Sequence, residues 1–413
     1  MNNHQLSINR YPSYKDSGID WLGQVPEHWD IKKFNHIAQI VEGQIDPKEE
    51  PYVNYILIAP NHIESGTGSL LYKETAFDQG AESGKYLFRT NDVIYSKIRP
   101  ALKKVWKANF SGICSADMYP IRLPRERIES DYFIFLCLSE SFSDFMIATS
   151  MRVAMPKVNR NDFHECHFAI PPLSEQRSIA HYLDTKTAQI DRKIDLLTQK
   201  AKSYAELKRS LINETVTRGL DRSVVMKDSA IGEVPEHWEI KHLKNLAEIK
   251  GGKDSIEVEL EEGDYPIYGS GGVFGRASKY LYGKPSVLLG RKGTIDKPLF
   301  VTEPFWSVDT MFYTEIKNSI YPKFFYYQCL IIEFGLYQYG SAVPSMAQNV
   351  LRQILFATPP LSEQKTIAHY LDTKTTQIDQ IIQTINTQIE KLKELRKTLI
   401  NDVVTGKIRV TEP

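Results

Sequence analysis

The most regular pattern in the chain is a seven-residue recurrence of apolar positions, found twice. No proline or glycine occurs between Ser174 and Gly219, or between Ser362 and Gly406. In the first stretch Leu183, Ile190, Leu197, Tyr204 and Leu211 recur at a spacing of seven; in the second, Leu371, Ile378, Ile385, Leu392 and Leu399 do so. Ile194 and Ala201, then Ile382, Ile389 and Val403, fill the intervening seam position. A recurrence held for about four heptads predicts a long helix with a coiled-coil seam in each stretch, and roughly 43 helical residues would span about 65 Å. The paired prolines 171–172 and 359–360 bar entry from a preceding helix, Ser174 and Ser362 suit N-caps, and Gly219 and Gly406 suit stops. Two near-identical seams in one chain meet at high effective concentration, which favours intramolecular pairing over a homodimeric zipper.

Upstream of each helix the pattern breaks into short runs punctuated by Gly, Pro and Asn. Runs at 52–58, 92–98, 286–289 and 300–306 are expected as strands, and apolar runs at 132–147 and 321–337 as helices. Their tertiary arrangement does not follow from periodicity.

The chain is also written twice in its text. Pro-Pro-Leu-Ser-Glu-Gln at 171–176 recurs at 359–364, and the match continues to Asp191 and Asp379 with 18 of 21 positions identical. Val-Pro-Glu-His-Trp at 25–29 recurs at 234–238. The order is strap, variable region, helix, twice over. The variable regions, about 30–170 and 239–358, each have the length of one domain and differ over most of it. The expected division is 1–172 for the first strap and variable domain, 173–220 for the central helix, 221–360 for the second strap and variable domain, and 361–413 for the last helix.

The 413 residues are 42% apolar and 25% charged, which excludes a mainly disordered or fibrous chain. Lys plus Arg and Asp plus Glu are both 51, so any polyanion-binding surface must arise from local segregation of charge. Such segregation is present. Residues 85–107 hold Lys85, Arg89, Lys97, Arg99, Lys103, Lys104 and Lys107 against Asp92 alone. Residues 276–297 hold Arg276, Lys279, Lys284, Arg291, Lys292 and Lys297 against Asp296, beside Tyr268, Phe274, Tyr280 and Tyr282. Cations among glycine-rich turns suit phosphate contact, and Arg can pair with guanine edges. A solvated surface loop is the competing reading of either run. A third feature precedes each helix: the loops 154–161 and 342–349 keep Ala, Pro and a final Asn in place while the residues between differ. Within them Arg160 and Gln348 are able to pair with base edges, and a turn feeding a strand explains the loops equally well. The candidate DNA-contacting residues are Lys97, Arg99, Lys103, Lys104, Arg160, Tyr268, Ser270, Arg291, Lys292 and Gln348.

Other motifs carry less. Cys114, Cys137, Cys166 and Cys329 form no CxxC pair, which suits a reducing cytoplasm, and His164, Cys166 and His167 lack the spacing of a metal site. His28 with Trp29 and His237 with Trp238 could stack on bases, but burial of the Trp in strap packing is the stronger reading. No P-loop, dinucleotide fingerprint or amino-methyltransferase motif occurs. The polar N-terminus has no signal-peptide pattern and no 18-residue apolar stretch exists, so no membrane partner is expected.

Taken together, Val-Pro-Glu-His-Trp, variable domain, Pro-Pro-Leu-Ser-Glu-Gln and heptad helix, in duplicate over nearly the whole chain, resemble the specificity subunit of a Type I restriction-modification system. Ser286-Val-Leu-Leu-Gly-Arg-Lys-Gly-Thr294 resembles one familiar kind of target recognition domain, and Asn91-Asp-Val-Ile-Tyr-Ser-Lys-Ile-Arg99 looks like its counterpart in the first half. The resemblance implies an α+β fold with a pseudo-two-fold internal repeat, in which two mixed α/β target recognition domains are separated by two long helices forming an antiparallel coiled coil. It implies a cytoplasmic, non-catalytic subunit that reads a bipartite target in double-stranded DNA. Two methyltransferase subunits would dock on it, with nuclease/translocase subunits as optional further partners. S-adenosylmethionine, ATP and Mg2+ would belong to those partners, with no cofactor in this chain. The family carries no fixed base-reading residues from member to member, so the candidates above rest on charge and placement. The alternative reading is a coiled-coil assembly scaffold that does not itself read DNA.

Overall fold

The computed structural model describes residues 10–150, 156–340 and 343–410. Ala154 and Ala342, the first residues of the two repeated loops, lie outside them. The heptad stretches form two helices, Leu173–Arg218 and Leu361–Val404, of 46 and 44 residues. Each starts one residue earlier than the serine expected to cap it. The Pro172 and Pro360 carbonyls accept the first helical bonds, from the Gln176 and Gln364 amides at 2.9 and 3.0 Å, and this places Ser174 and Ser362 inside the first turn. Both helices end as expected at glycines in left-handed conformation, Gly219 (φ +74°) and Gly406 (φ +76°).

The chain divides into two compact units, Met1–Leu196 with Gln388–Pro413, and Leu197–Thr387. This differs from the four-part division expected from the text, because each unit holds the start of one long helix packed with the end of the other. In the first unit Ile179 and Leu183 share a core with Ile400, Val403 and Val404, and further along Asp191 pairs with Arg396 at 3.0 Å. In the second, Ile212 and Val216 meet Ile367, Ala368 and Leu371, while Lys208 pairs with Asp379 at 2.7 Å. Within each unit the pairing is therefore antiparallel. Leu183, Leu371, Ile378 and Ile385 are buried, and Ile190, Leu197, Leu211, Leu392 and Leu399 are half-buried. Near the helix ends Ile212 and Ile400, one position past Leu211 and Leu399, are buried deeper than those seam leucines, because 3.6 residues per turn drifts away from an exact heptad.

Each unit carries one variable domain built on the same four-stranded sheet. In the first, the strand order is Gln39–Ile40, Met118–Arg122, Val93–Ser96, Val105–Lys107; in the second it is Ala247–Gly251, Met311–Ile316, Ser286–Gly290, Leu299–Val301. All neighbours in both sheets are antiparallel. The second sheet is where the domains diverge. Gly112–Cys114 lies between Lys85–Phe88 and a parallel Leu57–Ile58 in the first domain, whereas in the second Tyr265–Gly269 lies between Gly272–Ala277 and a parallel Trp306–Ser307. Of the expected strand at 52–58 only Leu57–Ile58 is extended, since Tyr52–Asn54 forms a 3-10 turn, and the one at 300–306 splits into Leu299–Val301 and Trp306–Ser307. The expected helix at 132–147 is two, Ser130–Leu138 and Glu140–Ser150. Ser139 separates them: its hydroxyl donates to the Leu136 carbonyl and accepts from the Phe142 amide. Likewise 321–337 becomes Pro322–Leu330 and a short turn at Phe334–Leu336.

The repeated text forms one interlock per unit. The strand after each strap pairs with the strand before each proline pair, Asp30–Lys33 with His167–Ile170 and Glu239–His242 with Leu355–Thr358. Trp29 and Trp238 are fully buried, as expected. The Trp29 indole N–H donates to Glu175 at 3.2 Å and that of Trp238 to Glu363 at 3.1 Å; His28 and His237 reach the second oxygen of the same carboxylates at 2.8 and 2.9 Å. Gln176 and Gln364 accept the amides of Glu129 and Tyr321, the N-cap residues of the helices Ser130–Leu138 and Pro322–Leu330. Thus Glu and Gln in Leu-Ser-Glu-Gln hold the strap and the variable domain respectively, in both copies.

Candidate nucleic-acid interface

The end of the strand Val93–Ser96 leads directly into Lys97-Ile98-Arg99, and the end of Ser286–Gly290 leads into Arg291-Lys292-Gly293. These triplets are held by the same three backbone hydrogen bonds. The Lys97 amide donates to Asp117 and that of Arg291 to Thr310, at 3.0 and 2.8 Å. The Val158 amide donates to Lys97 and the Met346 amide to Arg291, at 2.7 and 2.8 Å. The third residue of each triplet donates to a proline carbonyl, Arg99 to Pro156 at 3.1 Å and Gly293 to Pro344 at 2.9 Å. Ile98 bridges Lys157 and Lys292 bridges Ser345. Arg99 (φ +51°) and Gly293 (φ +82°) share a left-handed backbone. The basic runs and the repeated proline loops, separate features of the sequence, therefore form one structure in each domain.

Side chains around the two loops also correspond. The Lys97 ammonium lies 5.3 Å from the Tyr119 ring and the Arg291 guanidinium 5.8 Å from the Phe312 ring, on matching strands. Arg160 and Gln348 each open a short helix and bond back to the start of the domain, to the Val41 carbonyl just past the strand Gln39–Ile40 at 3.5 Å and to the Ile249 carbonyl within Ala247–Gly251 at 2.6 Å. Arg160 also pairs with Glu42 at 2.8 Å. Burial, followed by the neighbouring Lys157 cation, pushes the Lys97 ammonium below the ordinary lysine range. Among the described residues Lys97, Arg99, Lys157, Arg291 and Lys292 make no ion pair, although Asp117 lies near enough to favour the Lys97 charge and Arg291 donates to the Asp309 carbonyl at 3.3 Å. Arg99 and Lys292 are exposed. A surface cation left without a carboxylate on a loop fixed by backbone bonds is preorganised for a phosphate or a base edge.

Lys103 and Lys104 stand differently. Lys103 pairs with Glu140 at 2.6 Å, and the Lys104 ammonium donates to the Pro60 carbonyl at 2.6 Å. Lys107 pairs with Asp131, Lys85 donates to Ser83, and Arg276 donates to the Gly263 and Asp264 carbonyls. Much of the first basic run, and Arg276 of the second, is thus engaged within its own domain. In the second domain Ser270 abuts the Arg291 loop: its hydroxyl is 3.0 Å from where a Cβ on Gly293 would stand, and its amide donates to Thr310 at 3.4 Å. Tyr268 packs edge-on against Phe305, and past Ser270 the hairpin exposes Val273 and Phe274, both more than half accessible. Lys157 does not stand out in the charge pattern; its place beside Arg160 in the repeated loop is the signal that points to it. His164 stacks on Phe34, Cys166 is buried, and His167 bonds the Glu165 carbonyl, so these three do not converge. Among the described residues no single helix is long and apolar enough to cross a membrane.

The chain matches the family model described as Type I restriction modification DNA specificity domain twice, at residues 26–203 and 235–391. It is 32% identical over 243 residues to the Type I restriction enzyme EcoDI specificity subunit of Escherichia coli, covering 58% of this chain and about half, 49%, of that relative's length. It is 23% identical to the Type I restriction enzyme MjaVIII specificity subunit of Methanocaldococcus jannaschii, over 94% of each chain. A chain solved in work on complex assembly and conformational transition of the type I R-M system shares the fold, with TM-score 0.77, 20% identity and coverage of 92% and 98% of the two chains. So does the HsdS subunit from Thermoanaerobacter tengcongensis, with TM-score 0.55, 19% identity and coverage of 93% and 98%.

Proposed function

The chain belongs to the Type I restriction-modification DNA specificity family, and from that premise we propose that it is a non-catalytic subunit reading a bipartite DNA target, one half with each recognition domain. The observation that supports this most is the pair of basic loops, Lys97 to Arg99 and Arg291 to Gly293, held by the same three backbone bonds in two domains that otherwise diverge. A shared frame with different side chains suits a common docking geometry on two different base sequences. Phosphate contacts from the exposed cations position each domain, and the side chains that differ between the loops discriminate bases.

In this reading the interlocked straps and long helices form the scaffold on which two methyltransferase subunits assemble, with nuclease/translocase subunits added in a restricting complex, in the cytoplasm. S-adenosylmethionine, ATP and Mg2+ serve those partners. The deciding experiment is methylation mapping of DNA exposed to the chain together with the methyltransferase subunit of its own system. Modified bases within a single two-part sequence are expected. Complexes that assemble but bind and methylate DNA without any sequence preference would instead identify a scaffold that does not itself read DNA.

Each recognition domain lies between the two strands that pair beside the interlock, so it behaves as a cassette. Exchanging residues 239–358 for the corresponding region of another such subunit is expected to change one half of the methylated sequence and leave the other intact. Loss of both halves together would show that the two domains read DNA jointly.

A further inference from the structure

Arg396 is a buried arginine, 8% exposed, on the second long helix. Its guanidinium donates to Asp191 of the first helix at 3.0 Å, to the Gly66 carbonyl at 2.9 Å and to the Thr67 carbonyl at 3.3 Å. Gly66 and Thr67 form the tip of a turn closed by the Ile63 to Leu70 bridge and the bond from the Glu64 amide to Ser69. Both Gly66 (φ +74°) and Gly68 (φ +83°) are left-handed, and Gly68 lies against Ile134 and Leu138, so the tip is seated on the domain's own helix as well. From Gly66 the connection continues: its amide donates to the Lys103 carbonyl at 3.3 Å, the Lys103 amide to Pro100 and the Leu102 amide to Arg99, both at 2.9 Å. A continuous set of hydrogen bonds therefore runs from the helix seam to the loop that carries Arg99.

The second unit lacks this arrangement. By the repeat, Lys208 occupies the position of Arg396 and Asp379 that of Asp191, and Lys208 bonds both oxygens of Asp379, at 2.8 and 2.7 Å. Lysine at this position keeps the helix-to-helix ion pair. What it lacks is the planar fork of donors that lets one arginine hold a carboxylate and two carbonyls together. The recognition helix Pro322–Leu330 is tied to its long helix by other means, Tyr327 to Asp372 at 2.6 Å and Lys323 to Asp372 at 3.2 Å.

We infer that Arg396 is a positioning residue for DNA recognition, joining the helix seam to the 64–69 turn and so fixing how the first domain presents the Arg99 loop. This rests on the reading that the Arg99 loop contacts DNA. An orienting contact of this kind narrows the range of target geometries accepted, so its loss broadens spacing tolerance before it abolishes binding.

The test uses the full chain assembled with its methyltransferase subunits, in wild-type form and as Arg396→Lys, Arg396→Met and, as a control, Lys208→Arg. Arg396→Lys keeps the Asp191 pair by analogy with Lys208 and so separates positioning from helix pairing. Two quantities are read: amide hydrogen exchange at residues 64–69, and methylation of targets whose spacer is one base pair longer or shorter than the native one. In Arg396→Lys, which gives up the bonds to the Gly66 and Thr67 carbonyls, exchange in the turn is expected to rise at least about tenfold, and preference for the native spacer to fall by a similar factor. Base preference in the second half-site and complex assembly stay as in wild type, and Lys208→Arg changes neither reading. Unchanged exchange in both Arg396 variants overturns the latch itself. Faster exchange with an unchanged spacer preference overturns the positioning role while leaving the DNA-reading function in place. A wild-type complex with no two-part target would remove the functional reading, and the proposal with it.

Discussion

Replacing Trp29 by alanine is expected to cost about 3–5 kcal/mol, the scale of a large aromatic side chain removed from a close-packed site. Trp29 is fully buried, and Tyr11 stands against it with ring centroids 5.9 Å apart. A Cβ on Gly406 would lie 2.3 Å from Pro26 and 3.3 Å from the Trp29 ring, so the C-terminal turn is fitted to the strap and leaves no side chain to fill the space. The indole N–H is also one of the donors that satisfy Glu175, along with His28 and the Tyr11 hydroxyl. Burial and this hydrogen bond both push the Tyr11 phenol above its ordinary range, so it remains a neutral donor at neutral pH. Trp29→Phe keeps most of the buried area and removes only the N–H, for which about 1.5–3 kcal/mol is expected because the acceptor is charged. The effect should be local. Trp238→Ala removes the same interactions around Glu363 and Gly219 in the other unit, so denaturant unfolding of the two variants should lower different transitions. If both variants shift every transition equally, the straps do not stabilise separate units and the interlock has been misassigned.

Much of this architecture could be read directly from the text. The heptad spacing located both helices to within a residue at their starts, and the two glycines marked their ends, because these features are local in sequence. The repeated Glu and Trp were visible as shared letters, but not as a contact, since the bond from Trp29 to Glu175 joins residues that only the strand pairing of Asp30–Lys33 with His167–Ile170 brings together. The recognition loops show the same limit. Counting charge found the run containing Arg99, yet counting treats Lys103, Lys104 and Arg99 alike, and the fold turns the first two inward onto Glu140 and the Pro60 carbonyl. Lys157 fell outside the run altogether; it joins the loop through a bridge to Ile98 that closes only when the chain returns after two helices. The helix break at Ser139 escaped because the apolar pattern continues across it and a single hydroxyl decides the matter.

Loss of DNA binding should therefore follow the loop cations and not the basic runs as a whole. Arg99→Ala with Lys157→Ala removes two charges that no carboxylate in the described fold pairs with, and Arg291→Ala with Lys292→Ala does the same in the second domain. Removing one cation from a DNA phosphate is expected to flatten the dependence of log affinity on log salt by about 0.9, so a double variant gives up as much as about 1.8 of slope. A residue that pairs with a base edge instead costs about 1–3 kcal/mol and relaxes preference at one position. The two classes separate in one experiment, because phosphate contacts weaken all sequences alike while a base contact weakens only the cognate one. Lys103→Ala and Lys107→Ala are the discriminating controls. Their ammoniums pair with Glu140 and Asp131, so their removal should lower the stability of the first domain and leave the salt slope unchanged. Binding of the assembled complex to its target, titrated at several salt concentrations, measures both. A slope that falls in the Lys103 and Lys107 variants and holds in the Arg99 and Lys157 variants would move the DNA-facing surface away from the loop that follows Val93–Ser96, and the loop assignment would be wrong.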